Sequence, residues 1–336
     1  MDKKVMFACA GSGKTTYIIN NLSLKKRSLV ITYTEANFKN IYKKIQDKFN
    51  GVFPDNICVM TYFSFLYRFC YKPFLSDEVN AKGIIYENNQ NRFAKSSDLN
   101  YYKSDSGYLY SNRIAMLVIK YNVVDLIKQR LENYFDEFII DEIQDIAGRD
   151  FALLEELMTA NINMLFVGDF YQHTFDTSRD GIFNSKLFNN KSDYEKRFTN
   201  KGVRIDDTTL NHSWRCSKTI CDFIRENIGV EIYSHRDENS DTSIEFISNQ
   251  SDIDSILNNS NIIKLHYRNS SKYGNNHRNW GETKGEDDYN DVCVMLNKSS
   301  AEKYRSGKLY ELPQATKNKL YVAITRAHGN VYLINE

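Results

Sequence analysis

Short apolar segments alternate with amphipathic ones along the first half of the chain. The segment 137–140, Glu-Phe-Ile-Ile, is nearly all apolar, which is typical of a parallel strand covered on both faces. Residues 36–49 have instead the spacing of an amphipathic helix. The strands predicted in this half are 4–7, 28–34, Ile57–Thr61, 137–140 and 163–167. Strands that alternate with helices in this way predict a doubly wound α/β domain.

The polarity of the chain changes twice. Between about 71 and 110 the composition turns polar, which predicts an insertion followed by a helix around 115–134. A second polar and charged stretch, 190–205, is predicted to connect two domains. Residues 268–291 are rich in Asn, Gly and charge and are predicted to form a long surface loop. The strands predicted after the connector are 243–247, 262–266, Val292–Leu296 and 330–333.

The composition limits the classes of function. The 336 residues include 44 Lys and Arg against 43 Asp and Glu, so nucleic acid would have to bind in a local groove. The chain is 41% hydrophobic, which is too apolar for disorder. No stretch approaches the ~18 apolar residues of a membrane span, and the N-terminus has no signal-peptide core. The six Cys are scattered and lack zinc spacing, so we expect a reduced, cytoplasmic protein. Because no apolar span is present, we expect no membrane partner.

A glycine-rich segment follows the first predicted strand. Residues 8–15, Ala-Cys-Ala-Gly-Ser-Gly-Lys-Thr, fit the phosphate-loop pattern GxxxxGK(S/T), except that Ala stands at the first Gly. In such a loop the backbone N–H groups and the helix N-terminus hold the phosphates. Lys14 is predicted to reach the β- and γ-phosphates and Thr15 to ligate Mg²⁺. The residues predicted here to bind the nucleotide are Ala10, Gly11, Ser12, Gly13, Lys14, Thr15 and Thr16.

Two acidic residues, Asp141 and Glu142, directly follow the predicted strand 137–140. A parallel sheet presents its ligand-binding groups at the carboxyl ends of its strands. Asp141 is predicted to hold Mg²⁺ through water, and Glu142 to orient and deprotonate the attacking water. Together with Lys14, these residues predict hydrolysis of a nucleoside triphosphate.

The segment after strand 163–167 indicates which class of protein would use this nucleotide hydrolysis. It has the sequence Gly-Asp-Phe-Tyr-Gln at 168–172, with Phe175 and Arg179 beyond it. This resembles motif III of the UvrD/Rep-like superfamily 1 helicases, which is roughly GDxxQ with later aromatic and Arg positions. Other segments resemble the remaining motifs in the family's order, from residue 8 to residue 327. They are 8–15 as motif I, 31–37 as Ia, 60–65 as Ib, 141–145 as II, 210–217 as IV, 281–285 as V and 321–327 as VI.

The resemblance implies an ATP- and Mg²⁺-dependent motor on single-stranded nucleic acid. The family's fold consists of two RecA-like P-loop domains, each a mostly parallel sheet flanked by helices. The expected domains are 1–195, with a small insertion at 71–134, and 196–336. ATP-driven closure of the domains would move the protein 3′ to 5′ along single-stranded DNA, with RNA also open.

The resemblance also implies residue roles. Gln172 would sense the γ-phosphate, and Arg215 and Arg326 would stabilise its charge in the transition state as arginine fingers. Trp214 would stack on adenine, and Gly285 would approach a phosphate through its backbone.

The implied contacts with nucleic acid are contacts to the backbone and stacking on bases, as in other single-strand motors. The residues that match these positions are Thr34, Asn37, Thr61, Phe63 and Phe175.

The chain departs from the family in two ways, and a second function remains open. Only seven residues precede Ala8, which leaves no room for the family's Gln-containing adenine motif, so other nucleotides are also open. The accessory insertions are small, which favours translocation over unwinding. The alternative is a regulatory ATPase subunit that controls a partner nuclease or a repair or phage-defence complex. Stimulation of the ATPase by single strands distinguishes a motor from such a switch.

Overall fold

A parallel β-sheet lies at the centre of each of the two units into which the chain divides. The computed structural model describes residues 1–91, 93–174, 183–236, 242–286 and 288–336. The described residues of the first unit lie within Met1–Met6, Thr15–Gly168 and Asp176–Asp206. Those of the second unit lie within Phe7–Lys14, Asp169–Phe175 and Asp207–Glu336.

The strands of the first unit are β1 (Lys3–Phe7), β2 (Ser28–Thr32), β3 (Ile57–Thr61), β4 (Gly83–Ile85), β5 (Tyr108–Tyr110), β6 (Glu137–Asp141), β7 (Asn163–Gly168) and β8 (Arg204–Asp206). One sheet has the strand order β3-β2-β6-β7-β1-β8, and β4 pairs with β5. Strands β3, β2, β6 and β7 pair in parallel, as do β1 and β8. All five residues of β2 are buried, as expected for a strand covered on both faces.

Helices follow most of these strands. Helix α2 begins after Thr34, whose side chain accepts a hydrogen bond from the Asn37 N–H, and it buries Ile41 and Ile45 on one face. A π-helical segment, Phe65–Tyr71, joins α3 to α4. The helices of this unit are α1 (Lys14–Asn21), α2 (Glu35–Lys48), α3 (Tyr62–Ser64), α4 (Lys72–Val79), α5 (Leu99–Tyr102), α6 (Ile114–Lys120), α7 (Val124–Tyr134), α8 (Gly148–Leu157) and α9 (Lys191–Thr199).

The stretch 190–205, predicted to be a connector, forms α9 and most of β8 instead. Tyr194 and Phe198 lie one helical turn apart on α9 and are fully buried. Both rings pack on Phe151, with centroid distances of 5.5 and 5.7 Å. The charged residues between these two aromatics mask an ordinary amphipathic helix in the sequence.

The strands of the second unit are β9 (His212–Ser213), β10 (Tyr233–Ser234), β11 (Ile244–Phe246), β12 (Ile263–His266), β13 (His277–Asn279), β14 (Val292–Leu296) and β15 (Val331–Asn335). Five of them form a parallel sheet in the order β11-β15-β14-β12-β13, and β9 pairs with β10. The apolar strand β14 is buried throughout. The helices are α10 (Lys218–Phe223), α11 (Gln250–Asn258), α12 (Lys298–Arg305) and α13 (Gln314–Ile324).

The prediction of a surface loop over 268–291 is wrong, because this segment contributes to the core. It contains strand β13, and Trp280 in the same segment is fully buried. The Trp280 indole N–H donates to the Leu265 carbonyl at 2.9 Å, which satisfies its polar atom inside the core. The Asn and Gly residues around Trp280 conceal this anchor in the sequence.

The predicted α/β fold is confirmed, since mostly parallel sheets flanked by helices form both units. Predicted strand 28–34 ends two residues early, at Thr32, because Thr34 caps the next helix. In the part of the chain that the structure describes, no helix is both long enough and apolar enough to span a membrane.

Candidate nucleotide site

The glycine loop follows β1 and leads into α1, as the sequence predicts. Gly11 and Gly13 have φ angles of +69° and +84°, which favour glycine. A Cβ on Gly11 would lie 2.7 Å from the Cβ of Arg215 and 2.8 Å from the hydroxyl of Ser213. Glycine is therefore required at position 11 both by conformation and by lack of space.

Hydrogen bonds inside the second unit hold this loop in place. The Ala10 N–H donates to the Tyr321 hydroxyl at 2.9 Å, and that hydroxyl donates to Asp169 Oδ2 at 3.0 Å. The other oxygen of Asp169 accepts from the Tyr171 N–H at 3.0 Å. Burial, and then the Asp169 carboxylate, raise the pKa of Tyr321 well above its usual value, so the hydroxyl keeps its proton as a donor. We refer to Ala10, Tyr321 and Asp169 as the loop relay.

The relay residues Tyr321 and Asp169 were not predicted as site residues, although both lie inside motif-like segments. Each was hidden by sequence distance, because Tyr321 is separated by 311 residues from Ala10 and by 152 from Asp169. Nearby, Gln172 is 4% exposed in a short 3-10 turn, Phe170–Gln172. The carbonyl of the next residue, His173, accepts a hydrogen bond from the Asn318 side chain at 3.0 Å.

Trp214, which was predicted to stack on a base, lies beside the glycine loop. Its backbone N–H donates to the Gly11 carbonyl at 2.9 Å, and the residue is 65% exposed. A Cβ on Gly13 would lie 3.9 Å from the indole Cδ1. The indole therefore borders the loop with much of its surface available to a ligand.

The two predicted arginine fingers are buried in the second unit. Arg215 is 8% exposed, and its Nη1 donates to the Thr325 carbonyl at 3.1 Å. Arg326 is 1% exposed, and its Nη1 donates to the carbonyls of Thr283 and Glu286, both at 3.1 Å.

Arg326 therefore supports the turn that contains Gly285, another predicted nucleotide contact. Gly285 lies between the two carbonyls that Arg326 binds, and its φ of +87° favours glycine. The structure thus brings Arg326 and the Gly285 backbone together, and it places Arg215 against the glycine loop through Gly11.

In the first unit, the end of β6 meets the start of α1. The Thr15 hydroxyl donates to Asp141 Oδ2 at 3.1 Å, and Asp141 is 2% exposed. A hydroxyl and a carboxylate oxygen are ligands that suit Mg²⁺, which takes its remaining ligands from water and substrate phosphates. In the described ranges no group of three or more His, Cys, Asp or Glu could hold a metal ion. By the chemistry of their oxygens alone, Thr15 and Asp141 are suitable ligands for Mg²⁺.

Glu142 has a strained backbone at the position predicted for the catalytic base. Its φ of 60° and ψ of 49° lie in the left-handed region, which is uncommon for a residue other than glycine and occurs often at functional sites. The Gln144 amide donates to Glu142 Oε2 and so orients the carboxylate. Gly168, at the end of β7, makes room for this arrangement, because a Cβ there would overlap the Gln144 amide oxygen.

The residues predicted to contact nucleic acid lie in the first unit, except for Phe175, which lies outside the described residues. Thr34 and Thr61 cap helices by accepting hydrogen bonds from the N–H groups of Asn37 and Ser64. Phe63 is 9% exposed and packs against the rings of Tyr33 and Tyr86.

The exposed member of that aromatic group is Tyr86, at 70% exposure. Its ring meets Phe63 edge-on at 5.2 Å. It was not predicted, because it lies in the polar insertion, where no motif indicates a stacking residue. Tyr86 therefore presents to solvent the aromatic surface that the prediction assigned to Phe63.

Solved structures share this architecture. The fold of this chain is similar to that of part of the arterivirus helicases. One match is the complex of arterivirus nonstructural protein 10 (helicase) with DNA, with a TM-score of 0.52, 15% identity, and coverage of 98% of this chain and 60% of that one. Another is a crystal structure of arterivirus nonstructural protein 10 (helicase), with a TM-score of 0.51, 14% identity, and coverage of 98% and 59%.

The chain spans 60% and 59% of the lengths of these two helicase structures. No protein-family model matches the sequence, and no curated protein matches it either. At this identity the likeness shows the fold, and it covers nearly all of the chain.

Proposed function

We propose that the chain is an ATP-dependent motor of the superfamily 1 helicase type that moves 3′ to 5′ on single-stranded DNA. The observation that carries the proposal is the pairing of Thr15 with Asp141 at the start of α1, directly after the glycine loop. A phosphate loop whose Thr meets the carboxylate at the end of a parallel strand is the arrangement that nucleoside triphosphatases use. The fold shared with helicases supports the same assignment.

The glycine loop would bind the phosphates. Its backbone N–H groups and the N-terminus of α1 attract anions, and Lys14 opens that helix. Lys14 would neutralise the β- and γ-phosphates. Thr15 and Asp141 would hold Mg²⁺, which supplies charge stabilisation on the phosphate oxygens when bound.

Glu142 would take the proton from the attacking water. The hydrogen bond from Gln144 orients the carboxylate of Glu142 for this role. Arg215 and Arg326 would stabilise the charge that grows on the γ-phosphate, and Gln172 would respond to its presence. The contact between Gly11 and Arg215 supports this role for Arg215.

The first unit would bind the single-stranded nucleic acid. Thr34 and Thr61 use their hydroxyl oxygens as acceptors for helix caps, so each hydroxyl hydrogen can be donated to a phosphate oxygen. Phe63 and Tyr86 would supply the stacking surface for bases. One of the matched helicases was solved as a complex with DNA, which supports a nucleic-acid track. The presence of two parallel sheets supports the proposal that two RecA-like domains drive the movement.

The test is steady-state ATP hydrolysis with and without single-stranded DNA or RNA, at low and high salt. We expect strong stimulation by single-stranded DNA that falls as salt rises, because phosphate contacts release counterions. Lys14→Ala should abolish hydrolysis, and the exposed Lys25→Ala is the matched control.

Each result has a defined meaning. Near-normal turnover in Lys14→Ala would refute the phosphate-loop assignment. A turnover rate that does not change when single-stranded DNA or RNA is added would refute the proposal of a motor and favour the regulatory ATPase subunit.

A further inference from the structure

Exposed aromatic rings form a continuous series that begins at Trp214. The Trp214 and His235 rings are stacked, with centroids 4.0 Å apart and planes inclined by 19°. His235 continues to His212 at 5.0 Å, and His212 is stacked on Tyr233 at 5.3 Å. We refer to these four residues as the ring series.

The alternation of side chains in β9 and β10 builds the ring series. The strands are parallel, with His212 opposite Tyr233 and Ser213 opposite Ser234. Since successive side chains of a strand point to opposite faces, residues two apart share a face. His212 and Trp214 therefore lie on the same face as their partners Tyr233 and His235, and the two serines lie on the other.

Backbone contacts fix His235 independently of its ring. Its N–H donates to the Ser213 carbonyl at 2.9 Å, which extends the pairing of β9 and β10 by one residue. The next residue, Arg236, donates from Nη1 to the Arg215 carbonyl at 2.8 Å and also to the His328 carbonyl. The imidazole is thus held against one face of the indole, while Trp214 as a residue stays 65% exposed.

We propose that His235 is a positioning residue that holds the Trp214 indole in place for stacking on the nucleobase of the bound nucleotide. The inference rests on the proposed function and on the predicted stacking of Trp214 on the base, and it adds the residue that holds the indole in place. An indole restrained on one face loses less side-chain freedom when a flat base stacks on it, so binding is tighter. The nucleotide's affinity then depends on its base as well as on its phosphates.

The electrostatics of His235 suit this role. Burial, and then the neighbouring His212, lower the pKa of His235 below its usual value. At neutral pH the imidazole is therefore uncharged and acts as a flat aromatic surface.

The experiment measures the binding of two probes, ATP and inorganic tripolyphosphate, to the full chain. Tripolyphosphate carries the phosphates without a base. We compare His235→Ala, which removes the ring, with His235→Phe, which keeps an aromatic ring at the same place. Tyr310→Ala removes an exposed aromatic side chain elsewhere in the second unit and serves as the matched control.

Tryptophan fluorescence gives a second readout. The chain has two Trp, and Trp280 is fully buried, so a change at the surface reports Trp214. We expect His235→Ala to shift the emission to longer wavelength before nucleotide is added, because the indole gains contact with water. We expect His235→Phe to leave the emission near that of the wild type.

We expect His235→Ala to weaken ATP binding about tenfold and to leave tripolyphosphate binding unchanged. We expect His235→Phe to restore ATP binding. Wild-type affinity for ATP in His235→Ala, or an equal loss for both probes, would overturn the inference. If the wild type bound ATP no better than tripolyphosphate, only this inference would fail. If it bound neither probe, the proposed function would fail as well.

Discussion

Tyr321 connects segments of the second unit that are far apart in sequence. Its hydroxyl accepts from the glycine loop at Ala10 and donates to Asp169, so a single phenol oxygen holds three segments in register. A buried hydroxyl with both a donor and an acceptor partner specifies geometry more strongly than apolar contact does. The conformation of the glycine loop therefore depends on a residue of α13.

We predict that Tyr321→Phe destabilises the protein and slows hydrolysis. The variant keeps the ring but leaves the buried Ala10 N–H without its acceptor, which costs about 1–3 kcal/mol of unfolding free energy. Chemical denaturation measures the first effect and steady-state ATPase the second. Tyr310→Phe, at an exposed tyrosine, is the control. An unchanged unfolding free energy would show that the relay does not stabilise the loop.

Arg326 has a structural role in addition to the one proposed for catalysis. We predict that Arg326→Ala lowers turnover by ~10³-fold, the effect typical of a lost arginine finger, while ATP binding is largely retained. Because the guanidinium binds the Thr283 and Glu286 carbonyls, the variant should also lose about 1–3 kcal/mol of stability.

The Arg326 prediction is checked by single-turnover kinetics and by equilibrium binding, in protein shown by circular dichroism to be folded. Arg305→Ala, at an exposed arginine, is the matched control. A loss of ATP affinity as large as the loss of turnover would mean that Arg326 contacts the ground state instead.

At the scale of elements, the residues at the carboxyl ends of β6 and β7 are closely packed. A Cβ on Gly168 would lie 2.7 Å from Ile143 Cγ2 and 3.0 Å from its N, and it would overlap the Gln144 amide oxygen. Gln144 in turn orients Glu142. The position of the proposed catalytic base is thus set by how closely β7 approaches the turn after β6.

We predict that Gly168→Ala displaces Gln144 and with it Glu142. Overpacking of this kind costs about 1–3 kcal/mol of unfolding free energy. Turnover should fall by about 10²-fold, because the base loses its orientation. Gly83→Ala is the control, since a Cβ there makes only ordinary contact with Tyr108 at 3.4 Å. Normal turnover in Gly168→Ala would show that Gln144 does not position the base.

At the scale of the whole molecule, the sequence predicted what is local and missed what is distant. The glycine loop and the strand before Asp141 were predictable because residue type and spacing determine them. The loop relay and the ring series were not, since their members come together only when separate strands and helices pack. The error at 268–291 has the same origin, because nothing local distinguishes the buried Trp280 from an exposed one.

Stability of the second unit should depend on pH through the imidazoles of His277 and His235. His277 on β13 is hydrogen-bonded to His266 at 2.9 Å, and His266 in turn contacts Glu336 at 3.3 Å and stacks on Tyr273. Burial, followed by His266 and Lys264, lowers the pKa of His277. The pKa of His235 is lowered in the same way.

The sign of the effect follows from proton linkage. With a folded pKa below the usual 6.5, each of these His binds a proton more readily in the unfolded chain. Their contribution to stability is present above pH 6.5 and is lost as the pH falls through the folded pKa. We therefore predict that the midpoint temperature of unfolding decreases as the pH is lowered from 7.5 to 5.5. The decrease should be less steep in His277→Gln than in the control His328→Gln. Equal slopes in thermal unfolding would show that His277 is not one of the groups responsible.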